Sequence, residues 1–195
     1  MAERYREGRA FLVGDAAQRM TPRGGMGMNT AVAEGHDLGW KLAWVLRGWA
    51  GPDVLGSYEA EWRPVGARRA ARSADPGPEA TGGDALSEDL NGRLGHAWRS
   101  HGNGHRRSTL DLLGRGLTLL TGPGPHPWTA AAATLHPAFP LDLHPLDHRA
   151  AATLGLDSDG ALLARPDAKV VTCWPAAPTD PRAELAEALS GWSGR

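Results

Sequence analysis

The 195-residue sequence predicts an α/β protein in two parts, and three observations carry that reading. An apolar run, "RAFLVGD" (Arg9 to Asp15), reads as a short strand that ends in Gly-Asp and leads through a glycine-rich loop into a long helical pattern. A segment of Pro, Gly and small residues, "ADPGPEATGGD" (74–84), then interrupts the pattern as a linker or surface loop. From about Leu86 to Arg195 the texture is mixed α/β, and no internal repeat is found.

The elements follow in order. Residues Ala10 to Val13 are apolar without strict alternation, which suits a parallel strand covered on both faces. A helix is expected to start near Asn29 or Thr30, either of which can cap it. Leu38, Leu42, Val45 and Trp49 share one stripe of that helix, and Val32, Gly35, Gly39, Leu42 and Leu46 an adjoining one. Gly48 terminates it, with Pro52 beyond. A second helix from about Val54 carries "SYEAEWRPVGARRAARSA", and Pro64 is expected to kink or restart it. In the second half, "DSDG" and "RPDAK" are turn signals around strands Ala161–Ala164 and Val170–Trp174. "DPRAELAEALSGW" then reads as a terminal helix capped by Asp180, with Pro181 in its first turn.

Composition excludes several classes. A hydrophobic content of 41% supports a packed core, and a net charge of −1 makes no electrostatic case for nucleic acid or an anionic membrane. Arg68, Arg69 and Arg72 read as a solvated helix face. No apolar run approaches the roughly 20 residues a membrane span needs. The start, "MAERYREGRAFLVGD", has charges where a signal peptide would be apolar, so a soluble cytoplasmic protein is expected. A single cysteine, Cys173, leaves no internal disulfide, CxxC redox motif or cysteine zinc site.

The Gly-Asp junction has a physical reading. A strand ending there sets a carboxylate at the edge of a sheet where α/β proteins bind ligands, and Asp15 can accept hydrogen bonds from sugar or polyol hydroxyls. Gly24, Gly25 and Gly27 let the backbone turn sharply and let a flat ligand approach without Cβ clashes. The amides that open the next helix carry about half a unit of positive charge. The same spacing also suits a connection that is glycine-rich only in order to turn, and spacing alone does not separate the two.

The residues themselves do. "GRAFLVGDAAQRMTPRGGMGMNTAVAEGHDLGWKLAWVLRG" and the continuation "SYEAEWRPVGARR" resemble the second FAD-binding segment of the class A flavin-dependent aromatic hydroxylases, the para-hydroxybenzoate hydroxylase family, over about residues 8 to 72. The resemblance implies that Asp15 hydrogen-bonds the ribityl chain of FAD, with Gly14 making room. It implies that Pro22, Gly24, Gly25, Met26, Gly27, Met28 and Asn29 line the isoalloxazine ring, the helix dipole facing the N1–C2 carbonyl edge. Three positions depart from the pattern. Gln18 stands where the family usually has His, Thr21 where a Pro often precedes Pro22, and Glu34 where Asp is more usual.

In the second half, "LNGRLGHAWRS" and "RRSTLDLLGRGLTLLTG" resemble the C-terminal extension of the subgroup acting on polyketides and phenols, from about Leu90 to Trp192. The two resemblances together imply a fold and a division. Residues 1–74 are the C-terminal segment of a glutathione-reductase-like FAD-binding domain, 75–89 a linker, and 90–195 a thioredoxin-like α/β domain lacking CxxC. The activity implied is that of an FAD-dependent monooxygenase. NAD(P)H is its co-substrate, an aromatic small molecule its substrate, and one oxygen atom of O2 enters the ring.

Other constellations are weak. His96, His101 and His105 fit no single helical face, and His136, His144 and His148 are flanked by Pro and Asp, so both sets read as exposed rather than metal-binding. "GNG" at 102–104 is no dinucleotide fingerprint. Trp40, Trp44 and Trp49 read as core. Ser108 and Asp111 lack the elbow motif of a Ser nucleophile. No catalytic residue is singled out.

Two parts that a class A hydroxylase normally carries are missing: the GxGxxG βαβ unit for the ADP half of FAD, and the substrate-binding sheet. The chain is therefore expected to be the C-terminal portion of a monooxygenase, acting from a longer gene or with a separate N-terminal FAD-binding chain, and not to hydroxylate alone. The competing expectation is a non-catalytic remnant or interaction subunit, with the strand edge at residues 9–13 beside an exposed apolar helix.

Overall fold

The computed structural model describes residues 1–22, 25–74, 92–100, 106–124 and 127–192 and divides the chain into two units, Met1–Asn91 and Gly92–Arg195. The expected linker and Gly24 lie outside the described residues.

In the first unit, β1 (Arg6–Glu7) and β2 (Ala10–Phe11) form an antiparallel hairpin, Arg6 opposite Phe11 and Glu7 opposite Ala10. Gly8 turns it with φ +57. The buried parallel strand expected over Ala10 to Val13 is not formed. Ala10 and Leu12 are exposed, and among the described residues the only ladder partner of β2 is β1. An apolar run shows that a segment is suited to burial, but a parallel strand also needs neighbours to bond.

A 3-10 turn, Gly14–Ala16, follows and leads to α1 (Met26–Leu46). This helix begins three residues before the expected Asn29. Its N-cap is Gly25, which takes the left-handed conformation at φ 60 and has no side chain to offer the helix. Asn29 and Thr30, the polar cap candidates, therefore lie inside the helix, about one turn beyond its cap. At the other end Gly48, φ +70, donates to the Val45 carbonyl and Trp49 to the Trp44 carbonyl, closing the helix as expected.

A 3-10 turn, Pro52–Leu55, opens α2 (Gly56–Ala74), which runs through Pro64 without a restart. Pro64 lies on the exposed side, where the carbonyl it leaves without a donor faces water. The core gathers Tyr5, Ala17, Leu38, Tyr58, Trp62 and Val65. Two polar links tie α2 to the hairpin. The Tyr58 hydroxyl donates to the Leu12 carbonyl at 2.7 Å, and Glu59 accepts the Tyr5 and Arg6 N–H groups at 2.7 and 2.9 Å.

The second unit opens with the antiparallel pair β3 (Trp98–Ser100) and β4 (Arg106–Ser108). Its main sheet contains β5 (Leu117–Thr121), β6 (Leu141–Pro145), β7 (Ala161–Ala164) and β8 (Val170–Trp174), in the order β6-β5-β7-β8. β5 and β6 are parallel, and the β5–β7 and β7–β8 pairs are antiparallel. Helix α3 (Pro127–Thr134) makes the crossover from β5 to β6, α4 (His148–Thr153) follows β6, and α5 (Pro181–Ser190) closes the chain. Every residue of the central strands β5 and β7 is buried, as a continuous apolar run requires.

Strands β7 and β8 and helix α5 form where expected. The Asp180 carboxylate accepts the Ala183 N–H at 3.0 Å. Aromatic contacts bring α3 and α5 together with β8. Trp128 lies 4.7 Å from Trp174, whose indole N–H donates to Glu184.

Candidate functional site

Gly14 ends the hairpin in a left-handed conformation, φ +60, and a Cβ there would lie 3.0 Å from the Ala31 Cβ. The turn therefore rests directly on α1 and needs glycine on both counts. Its carbonyl accepts the Ala17 and Gln18 N–H groups, both at 2.9 Å. Asp15, next in sequence, is exposed, and its carboxylate forms no hydrogen bond among the described residues. Pro22, Gly25, Met28 and Asn29 are exposed, and Met26 and Gly27 are half-buried. Met26 to Asn29 thus form the first turn of α1 rather than a loop before it, and no side chain caps that turn. The start of such a helix carries a partial positive charge.

Beneath the turn is a buried polar chain that no sequence motif announced. Glu34 Oε2 accepts the Gly14 N–H at 2.8 Å, and Glu34 Oε1 accepts Gln18 Nε2 at 2.7 Å. A carboxylate only accepts, so Gln18 must turn its amide N–H toward Glu34 and its Oε1 outward, where the Tyr5 hydroxyl donates to it. Gly66 leaves room for this link, because a Cβ there would sit 2.7 Å from Gln18 Oε1. Burial raises the Glu34 carboxyl above its ordinary value, opposed by its two donors and the Arg69 charge. Burial and the nearby Glu34 push the Tyr5 phenol up to about 12.

The flanking contacts adjust two expectations. Arg69 is not merely solvated: it donates to Thr30 Oγ1 at 2.9 Å, and Thr30 donates to the Met26 carbonyl at 2.7 Å, bracing the first turn of α1. Thr21, one of the three departures, hydrogen-bonds Ser73 through both its N–H and its hydroxyl. A proline at that position would have neither donor. Farther along α1, Lys41 Nζ lies 2.7 Å from Asp37 and 3.1 Å from Glu61. Trp40 and Trp44 are buried, as expected, and stack edge-to-face at 5.1 Å.

In the second unit, Ser108 caps the 3-10 turn Thr109–Leu112. Its Oγ accepts the Leu110 N–H at 3.1 Å while Asp111 accepts the Ser108 N–H at 3.0 Å. His96 Nδ1 lies 2.7 Å from Ser108 Oγ, a contact that sequence spacing did not reveal. Asp111 is engaged with backbone and does not orient His96, so the three do not form a nucleophile–base–acid relay. His136 and His148 are exposed, and burial lowers the affinity of half-buried His144 for its proton. His101, His105 and the GNG segment lie outside the described residues. No helix among the described residues is long and apolar enough to cross a membrane.

A glycine–aspartate turn packed on a long helix whose start has no side-chain cap, followed by a mixed four-stranded α/β unit, points to a flavoprotein class, and comparison with known families agrees. Residues 1–73 match the FAD binding domain, and residues 88–195 match the C-terminal region of aromatic-ring hydroxylases. The chain belongs to the aromatic-ring hydroxylase family, whose members are FAD-dependent monooxygenases. It is 36% identical to tetracenomycin A2 monooxygenase-dioxygenase of Streptomyces glaucescens, over 96% of this chain and 42% of that protein. Among solved structures, aklavinone-11 hydroxylase in complex with FAD and aklavinone superposes with a TM-score of 0.78 at 32% identity, over 97% of this chain and 44% of that one. The flavin-dependent monooxygenase PieE, with FAD and substrate, gives 0.80 at 26% identity, over 97% and 48%. The chain thus spans less than half the length of these relatives.

Proposed function

We propose that the Gly14–Asp15 turn and the first turn of α1 hold FAD in an NAD(P)H-dependent monooxygenase acting on an aromatic polyketide or phenol. One observation carries the reading: Asp15 is exposed and has no side-chain hydrogen-bond partner among the described residues, in a turn packed on a 21-residue helix whose N-terminus has no side-chain cap. These residues fit the cofactor. The Asp15 carboxylate accepts hydrogen bonds from ribityl hydroxyls, while Gly14 keeps a side chain out of their way. Pro22, Gly24, Gly25, Met26, Gly27, Met28 and Asn29 line the flat ring, and the positive end of α1 favours its electron-rich edge.

Bound FAD supplies the redox chemistry, taking reducing equivalents from NAD(P)H and activating O2. This chain's own residues bind, orient and shield, and none of them is assigned as a catalytic acid or base. Hydroxylation is proposed for the chain together with the parts that carry the adenine and substrate sites, on the same polypeptide or on a separate N-terminal FAD-binding chain. The domain division 1–74, 75–89 and 90–195 belongs to the same reading. The βαβ unit β5-α3-β6, followed by α4, the β7–β8 hairpin and α5, supports a thioredoxin-like second domain, with Cys173 as the only thiol and hence no dithiol chemistry.

Titrating the chain with FAD and following quenching of flavin fluorescence tests the proposal. The Asp15→Ala variant should bind about tenfold or more weakly, the loss of one or more hydrogen bonds to a charged acceptor. Equal affinity in the two proteins would remove Asp15 from the flavin site. A second reading, an interaction subunit, draws on the exposed apolar side chains of Leu12, Met28 and Val32. It predicts a folded chain that leaves flavin fluorescence unchanged.

A further inference from the structure

We propose that Glu34 is the positioning residue of the flavin turn: held by Gln18, which Tyr5 in turn holds, its buried carboxylate fixes the Gly14 N–H and so sets the direction in which Asp15 presents its own carboxylate. The inference rests on the flavin reading above and adds a residue that touches no ligand.

A buried carboxylate is costly, and an apolar side chain would fill the same space more cheaply. Glu34 is fully buried, yet each of its oxygens takes a separate donor. One donor is the backbone N–H of the residue immediately before Asp15. Because that N–H is consumed inward, Gly14 has no donor to offer a ligand, and recognition at the turn passes through the Asp15 side chain. Gly14 also sits in the left-handed region with Ala31 against it, so the peptide leading into Asp15 is fixed by packing on one side and by Glu34 on the other.

Gln18 and Glu34 are two of the three positions at which the sequence departs from the pattern it resembles, and they are hydrogen-bonded to each other. The two departing residues therefore meet at one contact. The amide of Gln18 bridges a phenol and a carboxylate, giving oxygen to the first and N–H to the second, and a longer acid meets it from α1. The far end of the chain is Tyr5, held by its backbone N–H on Glu59 of α2. The turn is thereby tied to the hairpin and to both long helices.

The test uses the full chain in a four-protein cycle: wild type, Glu34→Met, which removes both carboxylate acceptors, Asp15→Ala and the double variant. Gln18→Met serves as a milder second break, because it keeps the length of the side chain and removes the donor. Without FAD, exchange of the Gly14 amide proton should speed up about 100-fold in Glu34→Met, which leaves that N–H no acceptor, and in Gln18→Met, as a local opening does, while helical circular dichroism is retained. With FAD, Glu34→Met should weaken binding about tenfold in the wild-type background and change nothing further in the Asp15→Ala background. A purely structural role would cost the same in both backgrounds, and that result overturns the proposal. So does unchanged Gly14 exchange in both variants. A wild-type chain that binds no FAD overturns the flavin reading and the positioning role with it. Exchange measured without FAD would still report the clamp, so the two failures are distinguishable.

Discussion

Helix α1 and strand β5 use their buried positions in opposite ways. α1 buries Glu34, Asp37 and Lys41 completely and leaves Met28, Val32 and Leu46 at 73%, 67% and 85% exposure. β5 buries Leu117, Leu119 and Leu120 completely, with Thr118 and Thr121 between and beside them. Apolar burial stabilises β5 in proportion to the area removed from water. Charge burial in α1 is tolerated only where each charge meets a partner, and its return is fixed direction rather than stability. The contrast places the stability of the second unit in packing and the precision of the first in a polar network.

The largest effect should come from breaking that network at its cation. Lys41→Met leaves the Asp37 and Glu61 carboxylates without their shared partner and should cost about 3–5 kcal/mol, read from chemical denaturation of the first unit's amides. In the second unit, Leu119→Ala should cost about 3 kcal/mol through lost burial and a cavity in the central strand. A smaller loss in Lys41→Met than in Leu119→Ala would reverse the comparison. Removing the cap of α5 with Asp180→Ala should cost about 1 kcal/mol and fray that helix alone.

A pH series sharpens the contrast within the first unit. Burial raises the Glu34 carboxyl, so the folded state holds that proton more tightly than the unfolded chain. Its contribution is greatest below the ordinary value of 4.5 and declines as pH rises through the raised folded value. Glu59 is the reverse case, because the Arg6 and Tyr5 N–H groups lower it. Its contribution is present above 4.5 and is lost as pH falls through the lowered value. Glu34→Gln should abolish the first slope and Glu59→Gln the second, both measured as midpoint shifts in denaturant titrations. Identical pH profiles in wild type and Glu34→Gln would contradict the burial of an ionising carboxylate there.

What was legible in the sequence was local. DSDG, RPDAK and the Asp180-Pro181 pair set β7, β8 and α5 because each signal acts within a few residues. Gly48 marked the end of α1 for the same reason. The start of α1 was misplaced because a left-handed glycine caps without a side chain, and the strand at Ala10 to Val13 was overestimated because pairing depends on partners that apolarity does not supply. Of the nine candidate flavin residues, Asp15, Gly24, Gly25 and Gly27 were legible as a turn able to face a ligand, and the flavin itself was legible only as a resemblance. The Tyr5–Gln18–Glu34–Gly14 chain was not, since its members lie far apart in sequence and two had registered only as departures from a pattern.

The most direct measurement is an FAD titration of the full chain followed by the backbone amide resonances. Shifts concentrated at Gly14 to Gln18 and at Gly25 to Asn29, and lost in Asp15→Ala, are the predicted result. Shifts confined to residues 92–192, or none at saturating FAD, would contradict the assignment of the Gly14–Asp15 turn as the flavin site.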